Sequence, residues 1–255
     1  MVQQLEPTTD DILYPESDGK PLVDNTLQFE LITTIKYGLE VLFKDDPNVF
    51  VAGDLLWYPV QGKPKINQAP DVMVVVGRPK GHRRSYKTWV EDNLNPQVVF
   101  EIASETNTIK ELEEDKLKFY QSHEVEEYYL FDPNRIKLKG WLRSGETLEP
   151  IPQMVGWVSP RLAITFELVE SELVLYSPNG QRFASYLEIS ELKDRAQQQA
   201  EQERQRAEQA EEALEEAQEA LNQAQKTLAQ ERSRMKALRS QLKAKGIDPK
   251  DLDLC

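Results

Sequence analysis

The sequence predicts an α/β domain followed by a long C-terminal α-helix, and three observations predict it. Val72–Val76, Val98–Ile102 and Tyr128–Phe131 are short runs of Val, Ile, Phe and Tyr, which is the composition and length of buried strands. Between the second and third runs, Ile109, Leu112, Lys116, Phe119 and Tyr120 recur at helical spacing within Thr108–His123. From Leu187 to Lys245 the chain contains neither Gly nor Pro and repeats apolar residues every seven positions.

Taken in order, residues 1–24 are polar with scattered Pro, Asp and Gly, and read as an arm of low order. Asp24 or Asn25 can cap a helix running to about Phe43, with Leu27, Leu31, Ile35, Leu39 and Leu42 on the face that packs on the sheet. Asp45–Asn48 is a turn, and Val49–Tyr58 reads as a strand with Gly53 as a candidate bulge. A loop, Val60–Ala69, leads into the strand that Asp71 opens. Arg78–Lys87 is the most basic segment of the domain. From Arg135 to Tyr176 short alternating runs predict antiparallel hairpins that extend the sheet or form a small second layer, with Trp141 and Trp157 in the core. The α/β domain thus spans 25–187, the helix 188–245, and a tail 246–255.

The helix carries Ala200, Ala207, Leu214, Leu221, Leu228, Met235 and Leu242 at heptad spacing, with Ala210, Ala217, Ala224 and Leu238 between them. That is a coiled-coil seam sustained over about six heptads. Acidic residues dominate up to Glu219 and basic ones after Lys226, an asymmetry that favours antiparallel pairing. A homo-oligomer is expected, the alternative being a single solvated helix.

Composition narrows the function. A net charge of -13 argues against nucleic-acid binding by the whole surface but leaves room for a local basic path into a cleft. No apolar run is long enough to cross a membrane, and the N-terminus lacks the pattern of a signal peptide, so a cytoplasmic location is expected. One cysteine, Cys255, excludes a disulfide framework within a chain. Two histidines, His82 and His123, argue against a zinc site.

The chemistry lies where charge interrupts the apolar pattern. Glu101 shares a strand face with Val99 and Ala103, and Asp71 opens its strand. Lys116 falls in the middle of the apolar helix stripe, whereas Lys118 points about 180° away. Buried charges need a partner or a cation. Asp71, Glu101 and Lys116 converging on a cleft would suit phosphodiester hydrolysis assisted by Mg²⁺ or Mn²⁺, with the carboxylates as hard oxygen ligands. The residues equally allow a structural Glu101–Lys116 ion pair with Asp71 as a turn residue. Arg83, Arg84 and Lys87, interleaved with Tyr86, could grip phosphates or lie on a solvated loop.

Pro70-Asp71-Val72, Glu101-Ile102-Ala103-Ser104, Asp115-Lys116 with Tyr120, and Val125 through Pro133 occur in an order that resembles the Uma-type restriction endonuclease family of the PD-(D/E)xK nuclease superfamily. Gly19-Lys20-Pro21 and Tyr86-Lys87-Thr88-Trp89 add to the resemblance, which covers roughly residues 10–187. It implies a restriction-endonuclease-like mixed sheet flanked by helices, Asp71 and Glu101 as metal ligands, Lys116 as the catalytic lysine, and nucleic acid, in the first place DNA, as substrate. Position 103, the usual place of the superfamily lysine, is Ala, so the resemblance moves that role to the following helix. Glu124 stands where Gly is usual. Glu30 on the first helix is a candidate for an additional acid, or a solvated rim residue. Two rivals stand beside an active endonuclease: a nuclease fold that binds nucleic acid without cleaving it, and a scaffold in which the coiled coil does the work.

Overall fold

The computed structural model describes residues 12–17, 19 and 25–245. Asp24, most of the predicted arm and the tail 246–255 lie outside the described residues. The chain divides into two units, Met1–Ile189 and Ser190–Cys255.

The first unit is built on a six-stranded mixed sheet. Its strands are β1 (Val49–Gly53), β3 (Val72–Val76), β5 (Val98–Ile102), β6 (Glu127–Asp132), β7 (Lys137–Ser144) and β8 (Thr147–Pro150), in spatial order β1-β3-β5-β6-β7-β8. Only β5 and β6 run parallel; every other neighbour is antiparallel. A parallel pair needs a crossover, and the segment between β5 and β6 supplies it as helix. That segment opens as a π-helical stretch, Glu111–Asp115, and continues as α2, Lys116–Ser122.

The central strands are apolar on both faces because both are covered. One face carries Val72, Val74, Val98, Phe100 and Ile102 against α1 (Thr26–Leu42) and a small sheet of β9 (Trp157–Val158), β10 (Thr165–Val169) and β11 (Glu172–Tyr176). The other carries Met73, Val75, Val99 and Ala103 against Leu112 and Tyr120 of the crossover. The hairpins of the third quarter therefore do both things expected of them: β7 and β8 extend the main sheet, and β9–β11 form a separate layer. Trp141 is buried; Trp157 is half-buried and donates its indole N–H to the Tyr129 hydroxyl at 3.1 Å.

Three details depart from the sequence pattern. The strand expected over Val49–Tyr58 breaks at Asp54, whose φ of 45° is left-handed. Its N–H reaches the carbonyls of Pro70 and Asp71, and Trp57–Tyr58 then forms β2 in a two-stranded parallel sheet with β4 (Tyr86–Lys87). Helix α1 buries Gln28, Ile32, Ile35 and Leu39, while Leu27 is exposed. The buried stripe is rotated from the expected one because Gln28, just after the Asn25 cap, is drawn inward by a buried hydrogen bond. In the crossover, Ile109 is 58% exposed. The π turn carries an extra residue, so positions before it fall out of phase with Lys116 and Tyr120 after it.

The second unit is the body of α3 (Tyr186–Ala244), a helix with no buried residue. Its length follows from good helix formers and the lack of breakers. No described helix is long and apolar enough to cross a membrane.

Gly38 marks the closest approach of α1 to the following layer, since a Cβ there would overlap the Phe183 ring. A valine regains little of the roughly 1 kcal/mol helix preference over Gly and incurs an overpacking cost of about 1–3 kcal/mol. Gly38→Val should lower the thermal midpoint of the first unit; an unchanged midpoint would show that Phe183 swings away freely.

Candidate active site

The site forms where β3 and β5 meet the crossover. Alternation along β5 turns Val98, Phe100 and Ile102 to the α1 side and Glu101 to the crossover side. Glu101 is 2% exposed. Its Oε2 accepts from Lys116 Nζ at 2.7 Å, and its Oε1 accepts from the Tyr120 hydroxyl. Lys116 and Tyr120 are four residues apart on one helix face, so a single helical turn delivers an ammonium and a phenol to one carboxylate. Lys118, two residues on, is exposed.

Asp71 reaches the same place from the start of β3. Its Oδ2 accepts from the Ile102 backbone N–H at 2.6 Å. This bond takes a strand N–H of β5 just beyond the last β3–β5 partners, Val72 and Phe100. The Ile102 carbonyl accepts from Gln28 Nε2 at 2.9 Å. One peptide segment is thus held by a carboxylate from β3 and an amide from α1.

The electrostatics follow from burial. Asp71 is pushed up from 3.8 to about 8, first by desolvation and then by the neighbouring Glu101 carboxylate, against the pull of Lys116 and the Ile102 N–H. Burial pulls the Lys116 ammonium down, but Glu101 and Asp71 more than offset it, so Lys116 stays charged above its ordinary range. Burial, with Glu101 next, holds the Tyr120 phenol protonated. Near neutral pH the cluster therefore holds a protonated Asp71 beside the Lys116 ammonium.

Once Asp71 loses its proton, two buried carboxylates against one ammonium would leave room for further positive charge. The donor set is hard oxygen, and Mg²⁺ commonly takes only one or two protein carboxylates and fills its remaining positions with water and phosphate oxygens. Asp71 and Glu101 fit that pattern. Among the described residues no three His, Cys, Asp or Glu side chains form a cluster able to hold a metal ion.

Of the residues singled out in the sequence, Asp71, Glu101 and Lys116 come together. Glu30 does not join them: it is exposed on α1, beside a cavity that includes Leu31, Leu173 and Arg182. Arg83 is tied down, its Nε 2.7 Å from Glu91 Oε1 and its guanidinium 3.9 Å from the Phe50 ring centre. Arg78 pairs with the same carboxylate at 2.9 Å, and these two arginines hold Glu91 below its ordinary value. Arg84 is highly exposed, with Glu16 at 3.2 Å, and Lys87 lies over the Tyr14 ring. Gln28 and the Tyr120 hydroxyl are the site groups that sequence reasoning missed. A tyrosine centred on a buried helix face needs a hydrogen-bond partner, which was a usable signal. A glutamine at the start of an amphipathic helix gave none.

A family model described as "Putative restriction endonuclease" (Uma2) matches residues 9–170. Among solved structures, one described as "a putative nuclease belonging to DUF820", from Anabaena variabilis ATCC 29413, is similar over 61% of this chain and 89% of its own, at 13% identity and a TM-score of 0.42. Comparison with curated proteins gives no match.

The raised Asp71 value carries a sign for stability. Between 3.8 and about 8 the folded protein holds a proton that the unfolded chain has released. Stability therefore falls as pH rises through that window, and the full cost stands above it. Asp71→Asn keeps an oxygen for Ile102 and removes the titration. In chelator, its melting temperature should exceed the wild type by a margin that widens from pH 5 to pH 9; a constant margin would contradict this account.

Proposed function

This chain belongs to the Uma2 family, and from that premise we propose that its α/β unit hydrolyses phosphodiester bonds of DNA with Mg²⁺ or Mn²⁺ held at Asp71 and Glu101. The observation that carries the proposal is the meeting of Asp71, Glu101 and Lys116 in one buried cluster, drawn from two strands and a helix. A bound divalent ion would polarise the phosphoryl oxygen and acidify a water. In this proposal Lys116 supplies a fixed positive charge beside the phosphorus and orients the attacking water. Glu101 anchors Lys116, Tyr120 holds the second Glu101 oxygen, and Asp71 would release its proton on holding a divalent cation.

The basic groups of this loop that are not committed to Glu91 include the exposed Arg84 and the half-buried Lys87 over the Tyr14 ring, and we assign both to phosphate contact. Arg83, paired with Glu91, supports their loop. We further propose that the chain associates through α3.

One observation favours a second reading, a nuclease fold without hydrolysis. Both oxygens of Glu101 are already engaged inside the protein, as in a structural ion pair. Cleavage assays on single- and double-stranded DNA and RNA with each metal decide between them. Lys116→Ala should lose on the order of a hundredfold or more in rate, the scale for one preorganised charge, while Lys118→Ala stays near wild type. A folded Lys116→Ala variant that cleaves normally would refute the catalytic assignment. Wild-type protein that neither cleaves nor binds metal would favour the second reading.

Metal titration adds an independent check. Calorimetry at pH 7 in buffers of different ionisation heat should show proton release on Mg²⁺ or Mn²⁺ binding, abolished in Asp71→Asn. For the basic loop, Arg84→Ala with Lys87→Ala should weaken DNA binding and flatten its salt dependence, whereas Arg83→Ala should act chiefly on stability. Unchanged binding in the double variant would return the loop to solvated surface.

A further inference from the structure

We propose that α3 pairs with α3 of a second copy of this chain, antiparallel, in the register that places the twofold axis at Lys226. The inference rests on the reading that the chain associates through this helix, and adds the partner, its direction and its alignment.

The seam residues are uncovered in the single helix: Leu214, Leu221, Leu228, Met235 and Leu238 are each about half exposed. A heptad row of this kind is stable only against another apolar face. The sequence itself supplies one. In an antiparallel pair, the first seam position of one helix meets the second seam position of the other. With the axis at Lys226, Leu228 meets Ala224 of the second copy, Met235 meets Ala217, Leu242 meets Ala210, and Leu214 meets Leu238. Large residues fall opposite small ones, as close packing of two helices requires. The one polar layer is Glu231 opposite Leu221, the kind of layer that fixes register at some cost in stability.

Charge selects the same alignment. Residues 208–219 contain six acidic and no basic side chains, and 233–244 contain four basic and no acidic ones. The proposed axis lays these two blocks on each other, with Glu211 beside Arg239 of the second copy. A parallel pair would instead set the acidic block against itself and Glu231 against its own copy. Sliding the antiparallel pair one heptad, to an axis between Asn222 and Gln223, would face Leu214 and Leu242 with Glu231 and Glu203 and bring Arg204 beside Arg239. The self-complementarity is what commits the surface to a second copy rather than to an unrelated helix.

The test uses the full chain with Cys255→Ser, carrying a spin label at Glu212→Cys in one sample and at Ser240→Cys in another, both on the outer face of the helix. At 1.5 Å per residue, an axis at Lys226 predicts the same axial separation of ~42 Å for both labels, hence equal interchain distances. The one-heptad alternative predicts ~32 and ~52 Å by the same rise and would overturn the register. Two short distances of about 20 Å, roughly twice a helix diameter, would mean a parallel pair and overturn the direction. A chain that sediments as a monomer and shows no dipolar coupling at tens of micromolar would overturn the association itself. Equal long distances in a sedimenting dimer sustain the proposal.

Discussion

Burial of the Glu101 carboxylate is the constraint on which the first unit depends. A carboxylate at 2% exposure in a central strand is tolerable only with fixed partners. Lys116 and Tyr120 are those partners, and both come from one turn of one helix. The requirement sets where α2 begins, which face it presents, and why the crossover from β5 to β6 passes over this end of the sheet. The π turn just before Lys116 belongs to the same requirement, since an added residue re-aims the helix without lengthening its path.

The pair is not self-contained. Asp71 adds a second carboxylate and is left protonated by burial and by Glu101. The site thus stores an acidic group that a cation would ionise, at the ends of two sheet-neighbouring strands. Asp71 and Gln28 grip the Ile102 peptide from two sides, so α1 on one face and the crossover on the other are both referenced to β5. Arg83 and Arg78 play a comparable part at the basic loop: they are committed to Glu91, and rigidity there is obtained from groups that sequence would assign to ligand binding.

Much of this arrangement was legible in the residues. Strand runs identified β3, β5 and β6 because Val and Ile are concentrated in the first two and Tyr, Leu and Phe in the third, and period two put Glu101 on the face of Val99 and Ala103. Period 3.6 separated Lys116 from Lys118. It failed at Ile109, because a π turn is invisible to a fixed period. It also failed at Leu27, because a single buried amide hydrogen bond at Gln28 outweighed the average apolar direction of α1. The Val49–Tyr58 run looked continuous because Asp54 can take a left-handed conformation without leaving a compositional mark other than its side chain. The basic loop misled in a different way. Composition reports charge and not pairing, and the partners Glu91 and Asp92 stand eight and more residues from the arginines they bind.

In the proposed pairing the second unit obeys the same physics, with its partner on the outside. In the first unit, uncovered apolar surface and unpaired charge are resolved within the chain, by α1 and β9–β11 on one face and the crossover on the other. In α3 nothing is buried, yet Leu and Met still recur at heptad spacing and the two charge signs are segregated along its length. Helix propensity alone accounts for an Ala-, Glu- and Gln-rich helix. It does not account for a seven-residue repeat or for acidic and basic blocks of matching extent. Those features cost nothing in an isolated helix, and the proposed antiparallel pairing is what would align them. On the proposed pairing, the sequence of α3 answers to an interaction between two chains, as the sequence of α2 answers to one made within a single chain.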